Sequence, residues 1–135
     1  MSLEAEIHTQ WAAKSALAGL LPVERVFTGR APPDTSLPYA VLSLMSSRPV
    51  MRTSEGESVV DSLVRFNLYT SRFDEGSSIA ATISSKSDGF LNAAFSFDGG
   101  EVLDVRPGNE RRFASPQGVW TIDVELHFRV RRAGA

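Results

Sequence analysis

The chain has 135 residues, with 14 basic and 16 acidic side chains and a formal charge of −2. That length fits one domain, expected over residues 1–135, and buries roughly two thirds of the unfolded surface without staples. With no cysteine, disulfides and thiolate metal sites are excluded, and the slightly acidic balance argues against nucleic-acid binding through a large basic face. Glu4 and Glu6 stand where a secretory signal would carry basic residues, and no long apolar stretch follows. No run approaches the ~20 apolar residues of a membrane span. Asn67, Asn92 and Asn109 all lack the Ser or Thr of a glycosylation sequon. A protein folded inside the cell, without membrane partners, is expected.

Residues 3–21 read as one helix. Ser2 is placed to cap it, and Glu4 and Glu6 complement its positive end. Leu3, Ile7, Trp11, Ala18 and Leu21 share a stripe at helical spacing, with Trp11 expected in the core. Pro22 ends the helix. Residues 22–37 hold three prolines and little periodicity, so they read as an arm across the surface, anchored by Val23, Val26 and Phe27.

Leu37-Pro38-Tyr39 leads into the apolar run Ala40-Val-Leu-Ser-Leu-Met45. Pro38 lacks an N–H and suits the first position of a strand, and Leu37 before it is biased toward extended backbone. Strands are expected over 38–47 and 58–71. In the second, Val60, Val64, Phe66 and Leu68 share one face, and Asp61, Leu63, Arg65, Asn67 and Tyr69 share the other. The polar link 47–57, with Pro49 and Gly56, reads as a long mobile hairpin tip.

Residues 74–94 read as a second helix, capped by Asp74. Ile79, Ile83, Phe90 and Ala94 stay in phase across Gly89, which favours continuation over a break at Ser87-Asp88-Gly89. Asp98-Gly99-Gly100 is a turn, residues 101–106 a strand, and 107–118 a loop. From Val119 to Arg131, Trp120, Ile122, Val124, Leu126, Phe128 and Val130 alternate with Thr121, Asp123, Glu125, His127 and Arg129. That is a strand covered on one side. The fold class expected is α+β, a mostly antiparallel sheet with two helices packed on one face, in the order α-β-β-α-β-β.

Motifs of catalysis are missing from the sequence: there is no nucleophile elbow, dinucleotide loop, phosphate loop or zinc-protease helix motif. His8 has no base-orienting partner nearby in sequence and reads as a packing histidine. Asp123, Glu125 and His127 point the same way from the last strand. A metal reading is conceivable, but side chains on one strand face start ~6.5–7 Å apart, which makes chelation by all three awkward. They read as a solvated face or a subunit contact. Arginines gather at Arg48 and Arg52, at Arg106, Arg111 and Arg112, and at Arg129, Arg131 and Arg132. Val50 and Met51, apolar between two arginines on a tip, suit a protein contact.

The helix, the Arg25-Val-Phe…Ala-Pro arm, the Leu37-Pro38-Tyr39 strand start, the second strand, the helix and two closing strands together resemble the tail-completion, or tail-terminator, proteins of long-tailed phages. The resemblance runs from about Leu3 to Val130. It implies a structural protein and not an enzyme, a ring that is usually a hexamer, and a place on the finished tail tube beneath the head connector. Its partners would be itself, a tail-tube protein and a connector protein. It would reside in the bacterial cytoplasm during assembly and then in the virion tail. No cofactor, metal or sequence-specific nucleic acid is expected from the residue pattern and charge. Arg48, Val50, Met51, Arg52, Asp123, Glu125 and His127 are the candidate partner-binding residues, chosen from the residue pattern alone. A small-ligand-binding or regulatory α+β domain is the competing class.

Overall fold

The computed structural model describes residues 2–52, 54 and 56–132. The hairpin-tip expectation at Thr53 and Glu55 lies outside the described residues. Among the described residues there are three α-helices, α1 (Leu3–Ala13), α2 (Ser15–Leu20) and α3 (Phe73–Ile83), and one 3-10 turn at Val23–Arg25. The strands are β1 (Val26–Thr28), β2 (Tyr39–Arg52), β3 (Ser58–Thr70), β4 (Phe95–Phe97), β5 (Gly100–Ala114) and β6 (Trp120–Arg132). They form one sheet in the order β1-β2-β3-β6-β5-β4. The long strands β2, β3, β6 and β5 are antiparallel throughout, and β1 joins β2 in parallel.

The first helical stretch is broken, against expectation. Ser2 caps α1 as its sequence suggests, accepting from the Ala5 N–H at 3.1 Å. Lys14 is extended, and the chain turns there into α2. In a continuous helix, Trp11 and Leu21 would be ~15 Å apart along the axis. The break brings them together, and the Trp11 indole N–H donates to the Leu21 carbonyl at 2.8 Å. It also puts Lys14 over the Phe90 ring at 5.4 Å. Burying Trp11 with its one donor satisfied outweighs the turn of helix lost at Lys14.

The arm that follows is anchored more firmly than its composition suggests. Val26–Thr28 pairs with Ala40–Leu42. Arg25 closes the rest, donating from Nε to the Pro38 carbonyl at 3.2 Å and from Nη2 to Ser36 Oγ at 3.1 Å and to the Ser36 carbonyl. The Leu37–Pro38 peptide is cis, and the strand begins one residue later, at Tyr39.

The second helix is half the expected length. It starts at Phe73 with Arg72 as its cap residue, while Asp74 sits in the first turn, paired with Arg72 at 2.8 Å. It ends at Ile83, and the Phe90 N–H returns to the Ile83 carbonyl at 2.9 Å. Gly89 makes that return possible. A Cβ there would lie 1.9 Å from the Thr82 carbonyl oxygen and 2.4 Å from that of Ile83. The stripe stayed in phase because Phe90 does reach the core, through a tight reversal instead of another two turns of helix.

Strands β2 and β5 both run further than expected. Residues 47–52 and 107–114 are paired strand, with register shifts at Leu44/Ser46, Pro49/Met51, Val102/Asp104 and Pro107/Glu110. Bulges of this kind let a strand absorb a proline without ending.

The core gathers Leu3, Ile7, Trp11, Leu17, Ile79 and Ile83 from the helices with Val64, Phe66, Leu68, Ile122, Leu126 and Phe128 from the sheet. Phe90 stacks on Phe66 at 5.9 Å and meets Phe128 at 6.1 Å. Two short strands and the Lys14 break thus add to the expected α-β-β-α-β-β order.

Gly89→Ala separates the two accounts by sign. A continuous helix would gain about 1 kcal/mol from the change, whereas the reversal should lose more than ~2 kcal/mol to the backbone clash. Thermal or urea unfolding reads the sign. A second measurement concerns His8, whose Nε2 lies 2.7 Å from Thr28 Oγ1 and whose burial holds the imidazole below its ordinary value. The unfolded chain therefore takes up the proton first as pH falls. Stability should be level above about pH 6.5 and decline below it toward the folded value. His8→Gln should flatten part of that slope; an unchanged slope would contradict the assignment.

Candidate functional site: the polar face of the sheet

Opposite the core, β2, β3, β6 and β5 present a face built in rows, because side chains at paired positions stand side by side. The register places Val41, Asn67, Asp123 and Arg111 in one row, and Ser43, Arg65 and Glu125 in the next. Then come Ser46, Leu63, His127 and Arg106, and after them Arg48, Asp61, Arg129 and Asp104. The alternation seen in the sequence fixes which residues face this way; the strand register fixes who meets whom.

Asp123 and Glu125 are only 5% and 8% exposed, too buried to form a solvated surface. Each has internal partners. Arg65 donates from Nε and Nη2 to Glu125 Oε2 at 3.0 and 2.7 Å. Asn67 Nδ2 donates to Asp123 Oδ1, and Arg111 Nη2 lies 3.9 Å from Asp123 Oδ2. His127 Nδ1 sits 3.5 Å from Asp61 Oδ2. Asp123, Glu125 and His127 therefore engage three separate sets of partners and do not converge on one point.

Arg48 and His127 are brought together. With Ser46, Asp61 and Leu63 they line an open depression of about 200 Å³. A second, of about 370 Å³, is lined by Asp61, Arg106, Pro107 and His127. The two share Asp61 and His127, so a shallow groove crosses the face from Arg48 on β2 to Arg106 on β5. Asp61 Oδ1, beside the groove, is buried without a hydrogen-bond partner, as is Arg129 Nε on β6. Val50, Met51 and Arg52 lie beyond the groove on the β2–β3 hairpin, with Val50 44% and Met51 56% exposed. Asp123 is six residues from Arg129 along β6, ~20 Å from the Arg48 row.

At the far end, Tyr39 and Tyr69 stack at 4.8 Å, and Phe27 meets Tyr39 edge-on at 6.3 Å. The arm from Gly29 to Thr35 arches beside them over a depression of about 390 Å³. Burial, together with Tyr39 and the Asp123 carboxylate, pushes the Tyr69 phenol above its ordinary value. Asp61, Arg129 and Asp104 were not among the candidates expected from sequence. Their signal is positional and emerges only once β3, β6 and β5 are in register.

The family model described as Tail completion protein gp17 matches residues 5–131. The chain belongs to that tail completion family. A chain of the solved structure titled "Virion of native gene transfer agent (GTA) particle" has the same fold, with a TM-score of 0.77 at 19% identity over 96% of this chain and 95% of that one. No curated protein matches this chain. A member of the tail completion family has a structural role in a phage-type tail.

The buried pair on this face has a measurable weight. Arg65→Met leaves the Glu125 carboxylate buried without its cation, which should cost about 2–3 kcal/mol, since Arg65 itself is partly exposed. Adding Glu125→Leu should recover most of that loss. Urea midpoints of the two variants check it; equal midpoints would mean Glu125 is not held by Arg65.

Proposed function

We propose that this tail completion protein, acting as one domain over residues 1–135, caps the finished tail tube as a closed ring and joins it to the head connector. The observation that carries the reading is the family match across residues 5–131. The ring order we favour is the hexamer. The partners are further copies of the chain, a tail-tube protein and a connector protein. The work is contact and closure without catalysis, carried out in the host cytoplasm before the protein becomes part of the virion tail.

The geometry supports a division of labour on the polar face. Asp123 and Glu125 spend their charge on Asn67, Arg111 and Arg65, and hold β3, β6 and β5 in register. Arg48, Val50, Met51 and Arg52 are exposed on a protruding hairpin. An apolar pair between two arginines suits an acidic, partly apolar partner surface, with the forked guanidinium groups fixing orientation. His127 lies at the base of that hairpin and belongs to the same contact region.

Two observations test the reading. A tagged chain should be found at the head-proximal end of assembled tails; a position along the tube or at the distal tip would contradict it. Arg48→Glu with Arg52→Glu should leave the melting temperature unchanged, because neither side chain is in the core. In a complementation assay the same pair should lower the yield of head-attached tails by ten-fold or more, about 1.4 kcal/mol or above.

A further inference from the structure

Four arginines of the sheet are spent inside the subunit. Arg65 pairs with Glu125, Arg111 with Asp123, Arg112 with Glu110 and Arg131 with Glu101. Arg48 and Arg106 are different. Both are exposed, and neither has an ion pair or a side-chain hydrogen bond among the described residues.

These two free cations stand at opposite ends of the groove. Arg48 lines the depression of about 200 Å³ with Leu63, Asp61 and His127. Arg106 lines that of about 370 Å³ with Pro107 and the same Asp61 and His127. By register, Arg48 and Arg106 lie three strand spacings and one row apart. That is ~16 Å between backbones. Between them come half-buried Leu63 and the Asp61 carboxylate, which His127 Nδ1 approaches to 3.5 Å.

The layout selects its occupant. A guanidinium fork binds a carboxylate at about 2.7–2.9 Å, so no single small anion reaches both arginines. The occupant must carry two negative groups set apart, with an uncharged stretch between them to lie on Leu63 and Pro107. A nucleic-acid strand has a phosphate at every step and follows a continuously positive groove. Here a carboxylate, Asp61, interrupts the two arginines, and the chain as a whole carries −2. A protein segment with two separated acidic side chains fits this pattern. A second copy of the chain is a poor source of it. Its exposed Asp74, Glu101 and Glu110 are each held by an arginine of their own subunit, Arg72, Arg131 and Arg112.

We propose that the groove cradles an acidic segment of a different tail protein, with one carboxylate on Arg48 and another on Arg106. The proposal rests on the capping reading above. It brings Arg106 into the contact and states the chemistry of the segment that is held.

Arg106→Lys turns the site into its own probe. A carbodiimide joins a lysine amine to a carboxylate in salt contact, with loss of water, and leaves arginine unreacted. In assembled tails, the treated variant should be linked at position 106 to an Asp or Glu of another tail protein, identified by mass spectrometry of the digest. The wild-type chain should give no link there. In the complementation assay, Arg106→Glu should cut head-attached tails by ten-fold or more with an unchanged melting temperature. Arg106→Lys should keep at least half the wild-type yield, because it retains the charge while losing the fork. Head-joined particles of the Lys variant without a link at 106 would overturn the groove contact and leave the capping role in place. So would wild-type yield from Arg106→Glu. A link to a second copy of this chain, or one that forms only after nuclease treatment, would overturn the assigned partner. If Arg106→Lys does not assemble, Arg48→Lys is read by the same cross-link and the same criteria.

Discussion

Strand Trp120–Arg132 is paired residue for residue with Ser58–Thr70 on one side and, across two register shifts, with Glu101–Ala114 on the other. A strand flanked on both sides is held at the centre of the sheet, so each of its two faces must find cover of the right chemistry. On one face, Ile122, Leu126, Phe128 and Val130 demand an apolar lid, which the helices and Phe90 provide. On the other, burial reaches Asp123 and Glu125, whose carboxylates would be costly there unless paired. Asn67, Arg65 and Arg111 answer that demand. The same strand thus dictates both the helical layer and the charge network.

The flanking strands inherit the consequences unevenly. Strands β2 and β5 each have one side satisfied by the centre of the sheet and one side mostly open. Strands β1 and β4, three residues each, cover only the ends. A protein that worked alone would gain by burying or charging such edges along their length. Here Leu44, Met45, Val50 and Met51 on β2 and Phe113 on β5 remain exposed apolar side chains. The family to which the chain belongs has a structural role in a phage-type tail.

Much of this was legible in the residues. The alternation from Trp120 to Val130 and the pattern of Val60, Val64, Phe66 and Leu68 fixed the two central strands and their inner faces, because period-two burial leaves a plain trace. Ser2 as cap and Trp11 in the core were equally plain. The breaks were not. Lys14 has no helix-breaking chemistry of its own; the chain bends there so that Trp11 can reach the Leu21 carbonyl. Gly89 sat on an in-phase stripe, and its lack of a Cβ matters only against carbonyls seven and six residues earlier in the chain. Pro107 read as a loop because a bulge that lets a strand continue has no local signature. On the polar face, Arg48 and His127 were singled out from sequence, but Asp61, Arg129 and Asp104 gain meaning only from register.

The central proposal is that this chain completes a tail so that a head can be joined to it. The most direct measurement is electron microscopy of particles made when the chain is deleted and when it is supplied in trans. The account predicts unattached heads and tails of uncontrolled length in its absence, with joined particles restored by the wild-type chain. Normal tails bearing heads in the deletion would contradict it outright.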